Sequence, residues 1–111
     1  MLTPDKLREY GADVDEGLRR CMNNEGFYLR LVNKAREDKR LYLLGQQISE
    51  KDYVSAFETA HALKGMYSNL SLTPLTGPVS EMTELLRSGT DTDYTALMNE
   101  AKAQYERLCS L

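Results

Sequence analysis

The sequence has no tryptophan, one histidine, two cysteines, three prolines and a single isoleucine among its 111 residues. Each shortage excludes something. Cys21 and Cys109 stand far apart and in no metal-like spacing, and the lone histidine is the only other soft ligand, so no metal site and no cofactor are expected. Both cysteines read as reduced thiols on or near apolar helix faces of a cytoplasmic protein. β-Branched apolar residues are scarce: four valines beside the one isoleucine, against 17 leucines and 8 alanines. Leucine and alanine lose little on entering a helix, whereas strands favour β-branched side chains, so an all-α chain is expected. The longest purely apolar run, Leu41 to Leu44, cannot span a bilayer. Thr3, Pro4, Asp5 and Lys6 follow Met1 and Leu2 at once, so nothing reads as a signal peptide. A net charge of −3 and a pI near 5.2 supply no basic face for nucleic acid. The length suits one domain over residues 1–111 with one core.

What is present is a series of helical stripes between short stop signals. Thr3 and Pro4 suit an N-cap and first turn, Leu7 and Tyr10 give that short helix an apolar side, and Gly11 ends it. Asp13 with Glu16 resembles a capping box, and Val14, Leu18 and Cys21 follow at i, i+4, i+7. After Asn23 and Asn24 come Tyr28, Leu31, Val32 and Ala35. Arg36 to Arg40 fits either a bend or a solvated stretch of helix. Leu41, Leu44 and Ile48 carry the next stripe, and Ser49 to Asp52 reads as a turn with an N-cap. A long stripe runs from Tyr53 to about Leu70. In SLTPLTGPVS, both Pro74 and Pro78 suit a first helical turn; a start near Pro74 with local distortion at Pro78 is favoured. Val79, Met82 and Leu86 follow, ending at Ser88 and Gly89. Thr90 and Thr92 offer caps for a last helix holding Tyr94, Leu97, Met98, Ala101, Tyr105 and Leu108. The tyrosines mostly fall on these stripes and read as core or rim residues with a wet hydroxyl. Such a pattern predicts an antiparallel up-down-up-down four-helix bundle with one or two short extra N-terminal helices packed on one end.

The long fourth stripe contains AHALKG, with the only histidine, His61, then Lys64 and Gly65. Glycine in a helix interior costs about 1 kcal/mol relative to alanine. At 100° per residue, Ala56, Thr59, Ala60, Leu63, Met66, Tyr67 and Leu70 fall within about 80° of the pole opposite His61. That arc is the core face, so His61 faces outward. Val54, Phe57, Glu58, Lys64, Gly65 and Ser68 lie on its side. Val54 and Phe57 are apolar groups on a polar surface, which often marks a contact site.

An exposed histidine usually does nothing, and a single helical glycine is tolerated. The chemistry favours more. Histidine ordinarily titrates near about pH 6.5, so at neutral pH a ring nitrogen is a nucleophile without a partner base. It can take a phosphoryl group and give it up again. A lysine three residues on can offset the added charge. A glycine four residues on leaves room for another protein's active site to approach the ring.

H-x-L-K-G on a helix, with Asn69 and Leu70 four and five residues after the glycine, resembles the histidine-containing phosphotransfer (HPt) domain. GADVDEGLRRCMNNEGFYLRLV resembles that family's N-terminal region, KDYVSAFETAHALKGMYSNL its phosphohistidine helix, and EMTELLRSG the end of the helix paired with it. The resemblance implies His61 as the phospho-accepting residue, Lys64 as the residue that assists with the phosphate's charge, and Gly65 as the small residue beside the histidine. The chain departs from the family at Ser71, where glycine is frequent, at Met66 and Tyr67, where small residues are common, at Thr83, where an acid is frequent, and at Gly77-Pro78.

The implied function is a phosphorelay intermediate. It would accept a phosphoryl group on His61 from a response-regulator receiver domain's phospho-aspartate and pass it to another regulator, in a pathway fed by a hybrid sensor histidine kinase. Docking would use Val54, Phe57, Gly65 and Ser68. Any Mg2+ would belong to the receiver, since the chain shows no acidic triad, P-loop or kinase glycine loop and so no ATP site. Membrane and nucleic-acid partners are not expected, and a monomer is the default. Two rivals stand beside it: a helical adaptor or degenerate HPt domain that only binds partners, and a hydrolase using His61 as general base, for which Glu58 is the only carboxylate on that face. Met1 fits a free-standing protein and equally a domain of a larger kinase.

Overall fold

A computed structural model describes residues 1–111, and every regular element in it is helical. In chain order these are α1 (Pro4–Tyr10), α2 (Val14–Arg20), α3 (Glu25–Glu37), α4 (Arg40–Ser49), α5 (Tyr53–Asn69), α6 (Thr73–Arg87) and α7 (Thr95–Cys109). Helices α4 to α7 form the four-helix bundle: α4 packs on α5, α5 on α6, α6 on α7, and α7 closes back on α4. The two short helices α1 and α2 lie at one end, as expected, and α3 crosses the same end. The Tyr28 hydroxyl of α3 donates to the Leu70 carbonyl at 2.9 Å, and Arg36 near its other end donates to the Cys109 carbonyl. The open reading of Arg36 to Arg40 resolves as a bend. Asp38 accepts from the Arg40 backbone N–H and guanidinium, which turns the chain between α3 and α4.

The helix starts follow local chemistry. Thr3, Asp13, Asn24 and Asp52 each accept a backbone N–H of the first turn that would otherwise lack a partner. The Asp13 box is half-formed: the Glu16 side chain turns instead to Arg19 and Arg20. Helix α6 starts near Pro74, as favoured: it begins at Thr73, with Leu72 as its N-cap and Pro78 inside it. One expectation changes. Thr90 and Thr92 do not cap α7. Tyr94 stands at the N-cap, the Asp93 carboxylate accepts from the Thr95 N–H, and Thr90 supplies a carbonyl to the Tyr94 hydroxyl.

One core cluster runs through bundle and end cap. Leu63, on the inner side of α5, is fully buried, which contributes about 2 kcal/mol of transfer free energy. The tyrosine hydroxyls are mostly not wet. Those of Tyr10, Tyr28, Tyr94 and Tyr105 donate to the carbonyls of Gln104, Leu70, Thr90 and Arg36. Three of these join the end cap to the bundle, because a phenol is long enough to cross the core and still reach backbone on the neighbouring element. Both cysteines are free thiols, Cys21 buried and Cys109 half-buried. No helix is long and apolar enough to cross a membrane.

Candidate functional site

Helix α5 buries Ala56, Ala60, Leu63 and Tyr67 and turns His61 out to solvent. The orientation follows from the 3.6-residue repeat: once the four inner residues are in the core, position 61 has nowhere else to point. The imidazole is not left loose. Phe57, one turn earlier, stacks on it with ring centroids 5.6 Å apart and 18° between planes. The Arg87 guanidinium of α6 lies 5.0 Å from the centroid of the Phe57 ring. Arginine, phenyl and imidazole thus form a chain of planar groups from α6 to α5, held by cation–π attraction and ring packing.

Lys64 is placed on the same side as His61, half-buried. Its ammonium sits 3.6 Å from the Glu84 carboxylate of α6, and Glu84 also pairs with Arg87 at 3.3 Å. Arg87 first, and Lys64 to a lesser degree, hold the Glu84 carboxyl below the usual carboxylate range, so it is anionic at neutral pH. No carboxylate is within ion-pair distance of the imidazole, and Glu58 is exposed without such a contact. The arrangement that would make His61 a carboxylate-oriented general base does not assemble.

Gly65 is exposed, and a Cβ added there would meet nothing within 4 Å. No packing inside the chain therefore calls for a glycine at this place. Val54 is 77% exposed, Phe57 and Ser68 are half-buried. Between α5 and α6 runs a groove of about 270 Å³ lined by Tyr53, Val54, Phe57, Glu58, Leu86, Arg87 and Gly89. A larger cavity of about 460 Å³ near Lys51, Asp91 and Lys102 does not include His61. No three His, Cys, Asp or Glu side chains converge as a metal-holding group.

The six residues expected at the site therefore share one face of α5. Phe57 differs from the expectation of a free docking group, because its ring is engaged by His61 and Arg87. Glu84 and Arg87 were not foreseen. Their one signal was an acid and an arginine one turn apart in the segment already read as the partner helix. The register between α5 and α6, which brings them to Lys64 and Phe57, is a tertiary fact.

A family model described as the Hpt domain matches residues 33–111. The matched span contains His61, Lys64, Gly65, Glu84 and Arg87; residues 1–32, including the whole N-terminal segment that the resemblance took in, lie outside it. No curated protein and no solved structure matches the chain.

Proposed function

Since the chain belongs to the Hpt domain family, whose members are phosphocarriers of two-component phosphorelays, we propose that His61 is the residue that carries the phosphoryl group. The donor is a receiver domain bearing an aspartyl phosphate. That domain docks on the α5–α6 face over Val54, Phe57, Gly65 and Ser68. A neutral ring nitrogen of His61 attacks phosphorus in line. The N–P bond forms as the P–O bond to the aspartyl carboxylate breaks, and that carboxylate leaves with the bonding pair. The ring then sheds the proton of its other nitrogen. Running the same step backwards hands the group to a second regulator. Lys64 offsets the added charge, and Mg2+ works from the receiver's side. The protein acts as a monomer with no ATP site of its own.

The observation that carries this reading is a pairing at one exposed place. The chain's only imidazole faces solvent, and beside it stands a helical glycine that nothing in the chain requires. A catalytic partner approaching the ring accounts for both. The test is to incubate the protein with phosphorylated receiver domains from its own genome. The expected product is an acid-labile, base-stable label that His61→Gln abolishes. Label that persists in His61→Gln, or partner binding with no label from any receiver, would refute the assignment.

A further inference from the structure

Three charged groups on the α5–α6 face that carries His61 are joined through one carboxylate. Lys64 Nζ lies 3.6 Å from one Glu84 oxygen, and Arg87 Nε lies 3.3 Å from the other. Arg87 also covers the ring of Phe57, which covers the imidazole. Lys64 and Arg87 are thus both already engaged with Glu84 while His61 is unmodified. The Lys64 side chain is about one-third exposed and the Glu84 side chain more than half exposed. Pairs this wet are weak and exchange partners readily.

We infer that Glu84 sets the lability of the phosphorylated site by sharing Lys64 and Arg87 with the phosphoryl group. The inference rests on the reading of His61 as phospho-acceptor. A phosphoryl group brings close to two negative charges, enough to draw exposed cations toward it. If both cations were free, they would settle on the phosphoryl oxygens and stabilise the N–P bond. Glu84 competes for them. That competition raises the free energy of the phosphorylated form. In a carrier this has a purpose: the group must leave as readily as it arrives. Glu84 touches neither the substrate nor the reacting atoms; it is a positioning residue that acts through Lys64 and Arg87.

The sequence carries the elements of this device without revealing it. Glu84 and Arg87 are one turn apart on α6, a spacing that ordinarily makes a surface pair of little consequence. What distinguishes this pair is the third member from α5, placed next to the imidazole.

Spontaneous loss of phosphate reads the effect directly. Water attacks phosphorus, the N–P bond breaks, the electron pair returns to the ring nitrogen, which takes up a proton, and orthophosphate leaves. The full chain is phosphorylated with potassium phosphoramidate, which gives up its phosphoryl group to the imidazole and releases ammonia. Loss of phosphohistidine is then followed by phosphorus NMR. Glu84→Gln keeps the side chain's size and removes its charge. Its phosphohistidine is expected to last about two- to fivefold longer than that of the wild type at low salt. The gain should shrink at high salt, where exposed charges are screened, and Glu84→Asp should restore a shorter lifetime. In a Lys64→Met, Arg87→Met background the same change should have little effect, with helical circular dichroism unchanged throughout. Equal lifetimes for wild type and Glu84→Gln overturn the inference alone, and an undiminished effect without the two cations overturns its route. A wild-type protein that takes no phosphate on His61 overturns both this inference and the assignment beneath it.

Discussion

A methyl group on Gly65 would touch nothing within 4 Å, whereas one on Gly17 would come within 2.5 Å of the Tyr28 ring. Gly17 is small so that Tyr28 can reach Leu70; Gly65 has no such internal reason. Stability and transfer should therefore part company at Gly65. Gly65→Ala is expected to raise the unfolding free energy by about 1 kcal/mol, since alanine is the better helix former and the site is open. Gly65→Gln should fold equally well yet slow phosphotransfer from a receiver by about tenfold, equivalent to about 1.4 kcal/mol of lost encounter free energy. Denaturant titration and transfer kinetics on the same two variants check the pair of outcomes. A stabilised protein with undiminished transfer would leave the glycine without an explanation.

At the scale of the element, the ends of the helices are more unusual than their starts. Helix α5 closes with the Leu72 N–H donating to the Tyr67 carbonyl and the Ser71 N–H to the Ser68 carbonyl, the double bond of a Schellman motif. That motif puts Ser71 at φ 54°, a left-handed conformation normally left to glycine. Met22 and Lys51 do the same after α2 and α4, while Gly89 does it after α6. Ser71→Gly is therefore expected to stabilise the protein by about 1 kcal/mol, measured by denaturant unfolding. The resemblance leads to an expectation of glycine here, and the backbone takes the left-handed turn with serine in that place. The same feature marks the limit of what could be read in advance. Stops signalled by Gly11 and Gly89, and starts signalled by Thr3, Asp13 and Asp52, were legible because those residues have strong local preferences. The threonines expected to cap α7 do not, because several polar residues precede Thr95 and only geometry selects Asp93 as the one that accepts its N–H. Within the site, the outward turn of His61 was legible from helical phase alone. The partnership of Lys64 with Glu84 was not, because it depends on how far α6 is shifted along α5.

For the molecule as a whole, the tyrosines govern its response to base. Burial raises the ionisation of Tyr28 to about 12, and burial likewise raises Tyr10, Tyr67 and Tyr105. In the unfolded chain these phenols ionise near about pH 10. Stability they confer is thus complete below that pH and falls as pH rises through the interval up to the folded values. The protein should keep its full stability at pH 8 to 9 and unfold cooperatively above about pH 11, with phenolate absorbance and loss of helical circular dichroism rising together. Phenolate signal from all seven tyrosines before any loss of helix would contradict the burial of these four.

The stack of Phe57 on His61 gives the chain a built-in gauge. With one histidine in the sequence, a proton spectrum holds a single pair of imidazole resonances, and they lie in the magnetic shadow of a neighbouring aromatic ring. Whatever tilts or lifts that imidazole, whether an attached group or an arriving domain, must move those two lines, with no isotope placed by design and no tag added to the protein.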